Sequence, residues 1–369
     1  MIIVISCSHF PDDERIYHRQ IKALLLNGFK VRYYTRSSSS KNLSDVGLEH
    51  FNFSSALSIS NYSKRVFYDV SKNKKTTLVH IHEPELLSLA INIKKIFGSK
   101  IIYDVHEDYC AIINTFSRWG KPIRYLKEKY WLKKEKSFLR YVDEIIVASS
   151  AIMNSDYNSQ GFKPTVLENF PVNFFFDGLK IKKKIKDSII YHGNLAPERG
   201  ILELVKAMPI VISEIPDATL TLFGDFRLDS FKNSLHKAIK ILDMSKHINL
   251  KKHIPHADIW LHLSNHAVGV IPFNDNSLTR IGTPTKLFEF MASGCQVVCP
   301  NLPPMMRYDF KGINFFTPGD VNELANTIIN AIRNISRDDI LYNQKKIKSD
   351  YNWDNISFRL INLYNRLLS

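Results

Sequence analysis

Twice along this chain, short apolar runs of strand length alternate with segments of helical periodicity. The runs "MIIVISCS", "FKVRYYT", "TLVHIH", "KIIYDVH" and "EIIVAS" form the first series, and "SIIYHGN", "ATLTLFGD", "INLKKHI", "VGVIPF" and "QVVCP" form the second. Strands that alternate with helices predict parallel α/β architecture. The intervening segments agree. "DERIYHRQIKALLLNGF" carries Ile16, Ile21, Leu24 and Leu25 at helical spacing before Gly28, and "GILELVKAMPIVISEI" and "DVNELANTIINAIRNI" do the same in the second half. A chain of 369 residues has room for two such domains, each with its own core. Their boundary falls in "VNFFFDGLKIKKKIKD", where periodicity is lost. The last segment, "YNWDNISFRLINLYNRLL", reads as an amphipathic helix with Ile356, Leu360, Leu363 and Leu367 on one face.

Ligands in doubly wound folds sit beyond the carboxyl ends of the strands, so residues just after strands are the place to look for chemistry. In "RIGTPTKLFEFMASGCQVVCP", Thr283 suits a helix N-cap, Pro284 the first helical position and Gly294 the residue past the end. Lys286 then stands at the electropositive end of that helix, which is unfavourable unless an anion is also present. Glu289 lies about one turn deeper. In "SIIYHGNLAPERGILELVKA", a strand ends at Gly193 and a helix begins near Arg199, a second cation at a helix start. Two helix N-termini and two cations suit a diphosphate, and a carboxylate one turn deeper suits the hydroxyls of a ribose. A surface arginine and a solvated glutamate are the plain alternatives.

Composition narrows the partners. The formal net charge is +14, with 44% hydrophobic and 23% charged residues. That charge is compatible with nucleic acid, an anionic membrane or a phosphorylated substrate. Zinc-finger spacing, a basic zipper and a ribonucleoprotein-type aromatic motif are all missing, which argues against nucleic acid. The excess concentrates in two places. Residues 121–140 hold eight basic residues against Glu128 and Glu135, and "KIKKKIK" at 180–186 adds five lysines. The first of these interleaves Tyr125, Tyr130, Trp131 and Phe138 with lysines. It would either lie on an anionic membrane or pack its rings inward as an ordinary solvated helix. No apolar run is long enough to cross a bilayer, and "MIIVIS" reads as a first strand and not as a signal peptide. Cys7, Cys110, Cys295 and Cys299 show no metal-ligand spacing and read as free thiols, so a cytoplasmic location is the expectation.

With these residues in view, the chain resembles family 4 retaining glycosyltransferases, and within them a subgroup of bacterial surface-polysaccharide biosynthesis. "HGNLAPERG" and "PTKLFEFMASGCQVV" look like the phosphate-binding loop and donor helix of that family; "DDERIYHRQIKALLLNGFKV", "HIHEPELL", "YDVHEDY" and "LENFP" have counterparts in the subgroup. The resemblance implies a GT-B fold, with two Rossmann-like doubly wound domains facing a central cleft. Residues 1–172 would bind the acceptor, residues 173–350 the nucleotide sugar, and a C-terminal helix at 351–369 would return to the first domain. It implies donor contacts from Gly193, Asn194, Arg199, Gly282, Thr283, Thr285, Lys286, Leu287 and Glu289, and places His106 and Glu107 at the reacting centre, where a core histidine is the alternative. Asp13, Arg15, His82 and Glu83 are the acceptor-side candidates, although Asp12 and Asp13 equally suit a helix cap. Two positions depart from the family pattern. Ile281 stands where a first glutamate contacts the donor sugar, with backbone amides near Gly282 and Thr283 as substitutes, and Asn194 stands where the loop has an arginine.

No D-x-D triplet or histidine–carboxylate cluster with ligand spacing is visible, so no metal and no cofactor are expected. The donor would be a UDP-sugar, or else a GDP-sugar, and the acceptor a glycan or lipid-linked oligosaccharide at the inner face of the cell membrane. A non-hydrolysing nucleotide-sugar epimerase of the same fold and a non-catalytic nucleotide-sugar-binding relative are the competing readings.

Overall fold

The computed structural model describes residues 1–72, 76–117, 119–152, 155–178 and 184–369. Lys180, Lys182 and Lys183 of the lysine run expected at the domain boundary lie outside the described residues. The chain divides into two compact units, Met1–Asn169 with Ile356–Ser369, and Phe170–Asn355.

The first unit is built on seven parallel strands: β1 (Ile2–Ile5), β2 (Val31–Ser37), β3 (Leu48–Ser54), β4 (Leu78–Ile81), β5 (Lys100–Val105), β6 (Glu144–Val147) and β7 (Thr165–Val166). Their order is β3-β2-β1-β4-β5-β6-β7. Successive crossovers run outward from β1 in one direction and from β4 in the other, so the winding reverses between β1 and β4. Every residue of β1 and β4 is buried, as strands covered by helices on both faces require. β3 and the two-residue β7 were not anticipated from sequence. β3 alternates half-buried and exposed residues at the sheet edge, and so lacks the continuous apolar run that marks its neighbours.

The helix that follows β1 begins with π winding over Glu14–Ile21 and continues as regular helix over Lys22–Leu26. Asp13 caps it, accepting from the Arg15 amide at 2.8 Å and the Ile16 amide at 2.9 Å. The His18 amide reaches back five residues to the Asp13 carbonyl. In this wide winding, residues five apart lie on one line. Arg15 and Gln20 therefore reach the same buried carboxylate, that of Asp104 at the end of β5. Arg15 also donates to the Leu167 carbonyl at 2.6 Å and to Asn169 Oδ1 at 2.7 Å, fastening the segment "LENFP" to the sheet.

The final helix, Trp353–Leu368, contributes its residues from Ile356 onward to the first unit. Tyr364 is buried with its hydroxyl 2.7 Å from His80 Nδ1, Arg366 pairs with Glu144 at 2.6 Å, and Arg359 donates to the Val166 carbonyl.

The second unit repeats the plan with six strands: β8 (Ile185–His192), β9 (Thr219–Phe223), β10 (Ile248–Lys251), β11 (His266–Val270), β12 (Gln296–Pro300) and β13 (Asn314–Phe316). Their order is β10-β9-β8-β11-β12-β13, reversing between β8 and β11. The helices Ile201–Glu214 and Val321–Arg333 pack together on this sheet. Cys295 and Cys299 are buried free thiols, as their apolar setting implied.

Asp104 is fully buried and holds Arg15, itself 4% exposed. Removing one partner of such a pair strands a charge in the interior, which costs about 3–5 kcal/mol. Asp104→Ala is therefore expected to lower stability by about that amount in a urea titration, and an unchanged midpoint would remove the pair from the supports of the fold.

Candidate functional site

In the second unit, the residues that follow β8 and β11 meet at the point where the winding reverses. The chain leaves β8 through His192 and Gly193, turns over Pro197–Arg199, and enters the helix Ile201–Glu214 at Gly200. Gly200 has φ +68° and lies so close to the segment after β11 that a Cβ there would sit 1.7 Å from the Pro272 carbonyl oxygen. Asn274 Nδ2 donates to the Pro197 carbonyl, closing the two loops on each other.

Phe273 lies between the cations. The Arg199 guanidinium is 4.8 Å from its ring centre and Lys286 Nζ is 5.6 Å away, with Lys286 also 5.7 Å from the Tyr191 ring. The tip of Lys286 lies against Gly193, where a Cβ would be 2.8 Å from both Cε and Nζ. Burial, reinforced by the charge of Arg199, pulls the Lys286 ammonium down to about 8. Among the described residues, neither cation has a carboxylate within ion-pair distance. Two half-buried cations share one ring, and among the described residues no carboxylate pairs with either.

Lys286 belongs to the helix Thr285–Ala292. The helix starts one residue later than expected: Pro284, with ψ 72°, stands where the cap was expected at Thr283, and backbone bonds run from the Thr285 amide to the Thr283 carbonyl and from the Leu287 amide to the Pro284 carbonyl. Leu287 is buried in the core and so contributes only backbone. The Gly282 amide is already bonded to the Leu278 carbonyl at 3.1 Å, so it does not stand ready to replace the carboxylate missing at Ile281. Asn194 is exposed, and its carbonyl accepts from the Tyr191 hydroxyl at 3.0 Å.

Glu289 is 5% exposed, not a solvated helix residue. His256 Nε2 lies 2.6 Å from its Oε1 and His192 Nε2 lies 3.0 Å from its Oε2. Burial alone would push this carboxyl up, but the two histidines outweigh it and hold the group well below the usual range. An ionised carboxylate only accepts, so His256 donates. His192, Gly193, Phe223, Ile254, His256 and Ile259 line a pocket beside this acid. His192 and His256 were missed in the sequence. His192 ends a strand, a usable signal; His256 is 33 residues from Glu289 and gave none.

In the first unit, His82, Asp104 and His106 come together at the ends of β4 and β5. His82 Nδ1 is 3.0 Å from His106 Nε2, and Asp104 Oδ2 is 3.4 Å from the former and 3.6 Å from the latter. Burial lowers both imidazoles, leaving them neutral near pH 7. His106 keeps 15% of its side chain exposed and Glu107 is exposed. Beside them, Glu107, Asp108, Tyr109, Trp131, Glu135 and Tyr157 line a second pocket. His80, His82 and Asp104 present nitrogen and oxygen atoms close enough to hold a metal ion, a grouping the sequence spacing did not reveal. The Asp104 oxygens, however, already accept from Arg15 and Gln20.

The acceptor-side candidates stand differently from the expectation. Arg15 is buried with its donors occupied, and His82 is 3% exposed behind His106. Glu83 turns inward to accept from the Ser6 hydroxyl at 2.6 Å and from the Cys7 and Ser8 amides, knitting together the loop after β1. Asp13 caps its helix and holds His9 Nδ1 at 3.0 Å. These four residues shape the floor of the first unit's switch point.

Residues 186–334, all within the second unit, match the family model described as glycosyl transferases group 1. A Bacillus subtilis (strain 168) protein described as the uncharacterized glycosyltransferase YqgM is 25% identical over 157 residues, and the match spans 42% of this chain and 42% of that relative. The sucrose-phosphate synthase of Thermosynechococcus elongatus superposes with a TM-score of 0.78 at 17% identity, covering 99% of this chain and 98% of that one. Anabaena HepE, solved in complex with UDP-glucose, superposes with a TM-score of 0.71 at 15% identity over 99% of each chain. The fold is GT-B. The family model and the curated relative share one enzyme class, glycosyltransferase.

The two glycines of this site report on it differently. At Gly200 a side chain would strike backbone, and its positive φ adds strain; at Gly193 it would meet the movable end of Lys286. Gly200→Ala is expected to cause the larger loss in thermal stability, and Gly193→Ala to displace Lys286 with a smaller one. Equal melting temperatures for the two variants would contradict the close approach at Pro272.

Proposed function

We propose that this chain is a metal-independent retaining glycosyltransferase that moves a sugar from a nucleoside diphosphate, UDP before GDP, to a glycan or lipid-linked acceptor in bacterial surface-polysaccharide synthesis. The observation that carries this reading is the pair of unneutralised cations, Arg199 and Lys286, beside a buried ionised Glu289, inside the segment matched by the family model. A diphosphate supplies the missing negative charge. The ribose hydroxyls would donate to Glu289, next to its histidine partners, and the base would enter the pocket lined by Phe223, Ile254 and Ile259. HepE's complex with UDP-glucose supports the choice of donor.

In the proposed reaction, the bond from the anomeric carbon to the phosphate oxygen breaks as a bond to the acceptor oxygen forms on the same face of the sugar. The departing phosphate oxygen takes the acceptor's proton. Arg199 and Lys286 stabilise the charge that develops on that phosphate, and they are preorganised for it by the ring and loops that hold them. Neutral His106, with His82 and Asp104 behind it, would hydrogen-bond the sugar. Glu107 would lie at the same end of the first unit.

A thermal-shift panel of UDP, GDP, ADP and CMP tests the base, with UDP expected to give the largest shift. Arg199→Ala and Glu289→Gln are expected to weaken UDP binding about tenfold to a hundredfold, the range for a charged hydrogen bond, as measured by calorimetry. His106→Ala is expected to lower turnover far more than UDP affinity. Undiminished UDP binding by Arg199→Ala would refute the placement of the phosphates. Incubation with donor alone separates the epimerase reading, since that enzyme would alter the sugar without needing an acceptor.

The depressed Lys286 also sets a pH dependence. Below about 8 the ammonium is charged and UDP affinity is flat; above it, binding must recover the lost proton, so affinity falls by up to about tenfold per pH unit. Lys286→Arg, charged throughout, is expected to flatten this profile between about pH 7 and about pH 9.5. A wild-type affinity that rises with pH would contradict the assignment.

A further inference from the structure

We propose that the outward face of the helix Lys121–Leu139 is a docking surface for an anionic lipid bilayer. This goes beyond the proposed reaction and does not rest on it. The helix buries Trp131, Glu135 and Leu139 against the first unit, and Glu135 bonds there with the Tyr157 hydroxyl. The opposite face is not the charged, solvated surface that an ordinary amphipathic helix presents. Ile123, Leu126 and Tyr130, spaced i, i+3 and i+7 and therefore on one side of the helix, are 43%, 65% and 69% exposed. Trp119, just before the helix, and Tyr125, on the far side of Lys129, are each 55% exposed.

This apolar stripe runs between lysines. Lys127 and Lys134 flank it on one side, and Lys129 and Lys133 on the other. Among the described residues, no carboxylate lies within ion-pair distance of any of the four. Lys127 is 5.0 Å from the Trp119 ring and Lys129 is 4.9 Å from the Tyr125 ring, so the cations and rings share the surface. Aromatic and aliphatic side chains enter the interfacial region of a bilayer while lysines reach its phosphates, which is the division of labour seen here. The charge selects among occupants. A second copy of this chain would bring the same positive face and be repelled, and a nucleic acid would leave Ile123 and Leu126 unsatisfied.

The test is sedimentation of the full chain with vesicles of phosphatidylcholine alone and of phosphatidylcholine mixed with phosphatidylglycerol, at low and high salt. Binding is expected to be about tenfold or more tighter to the mixed vesicles and to weaken with salt. Leu126→Glu with Tyr130→Glu is expected to abolish it, with the melting temperature unchanged because both side chains face solvent. Lys127→Glu with Lys134→Glu is expected to remove the preference for anionic vesicles. Equal binding to both kinds of vesicle, or binding that survives both double variants, would overturn the proposal. So would light scattering that shows the Leu126/Tyr130 variant turning a dimer into a monomer while vesicle binding persists, since the face would then cover a second copy.

Discussion

Arg199 and Lys286 repel each other across one phenylalanine ring, and most of the second unit's switch point is arranged around that repulsion. Both stand where backbone amides already make the surroundings electropositive, and Lys286 has lost enough water for its affinity for a proton to fall to about 8. The backbone around them is set by close approaches. Gly193 has no side chain because the lysine tip occupies that space, and Gly200 takes a left-handed turn because the Pro272 carbonyl is against it. Such an arrangement is unfavourable without a ligand and is offset by the packing of the sheet beneath. An anion with two or more charges would remove the conflict, and this is the physical basis of the proposed diphosphate site.

The first unit has the same topology and the opposite electrostatics. At its switch point the charges are balanced within the chain, with Arg15 and Gln20 on Asp104 and Glu83 on the amides after β1. What remains for a ligand is the exposed edge of neutral His106, with the exposed Glu107 next to it. One fold therefore supplies a cationic site in one unit and a hydrogen-bonding site in the other, and the difference lies in side chains and not in the sheet. This division fits a reaction in which one partner carries the phosphates and the other only hydroxyls.

The signals legible in the sequence were local ones. Lys286 and Arg199 stood out because a cation at a helix start is anomalous over three or four residues, Glu289 because it lies one turn deeper in an apolar helix, and the buried parallel strands because their apolar runs are continuous. Longer-range relations were hidden. Nothing near His256 announces that it bonds Glu289, and nothing in "DDERIYHRQ" shows π winding that turns Arg15 inward to Asp104, 89 residues away. Position after a strand identified His82 and Glu83 but not the direction they face. The helix start was read one residue early because Pro284 keeps a non-helical ψ, which its residue type does not announce. β3 escaped because an edge strand alternates and borrows its apolar contacts from one side only.

The helix Lys121–Leu139 shows why composition alone left two readings of its rings open. Its inner face buries Trp131, Glu135 and Leu139, with Phe138 half-buried beside them, and helical spacing turns Ile123, Leu126 and Tyr130 to the other side. A helix under selection only for packing and solubility would carry polar residues at those three positions, since each exposed ring or branched chain there favours association and gains no contact within the fold. The lysines cannot be credited with solubility alone either, because they border the apolar stripe on both sides instead of interrupting it. That bordering is the ground for the proposed bilayer contact.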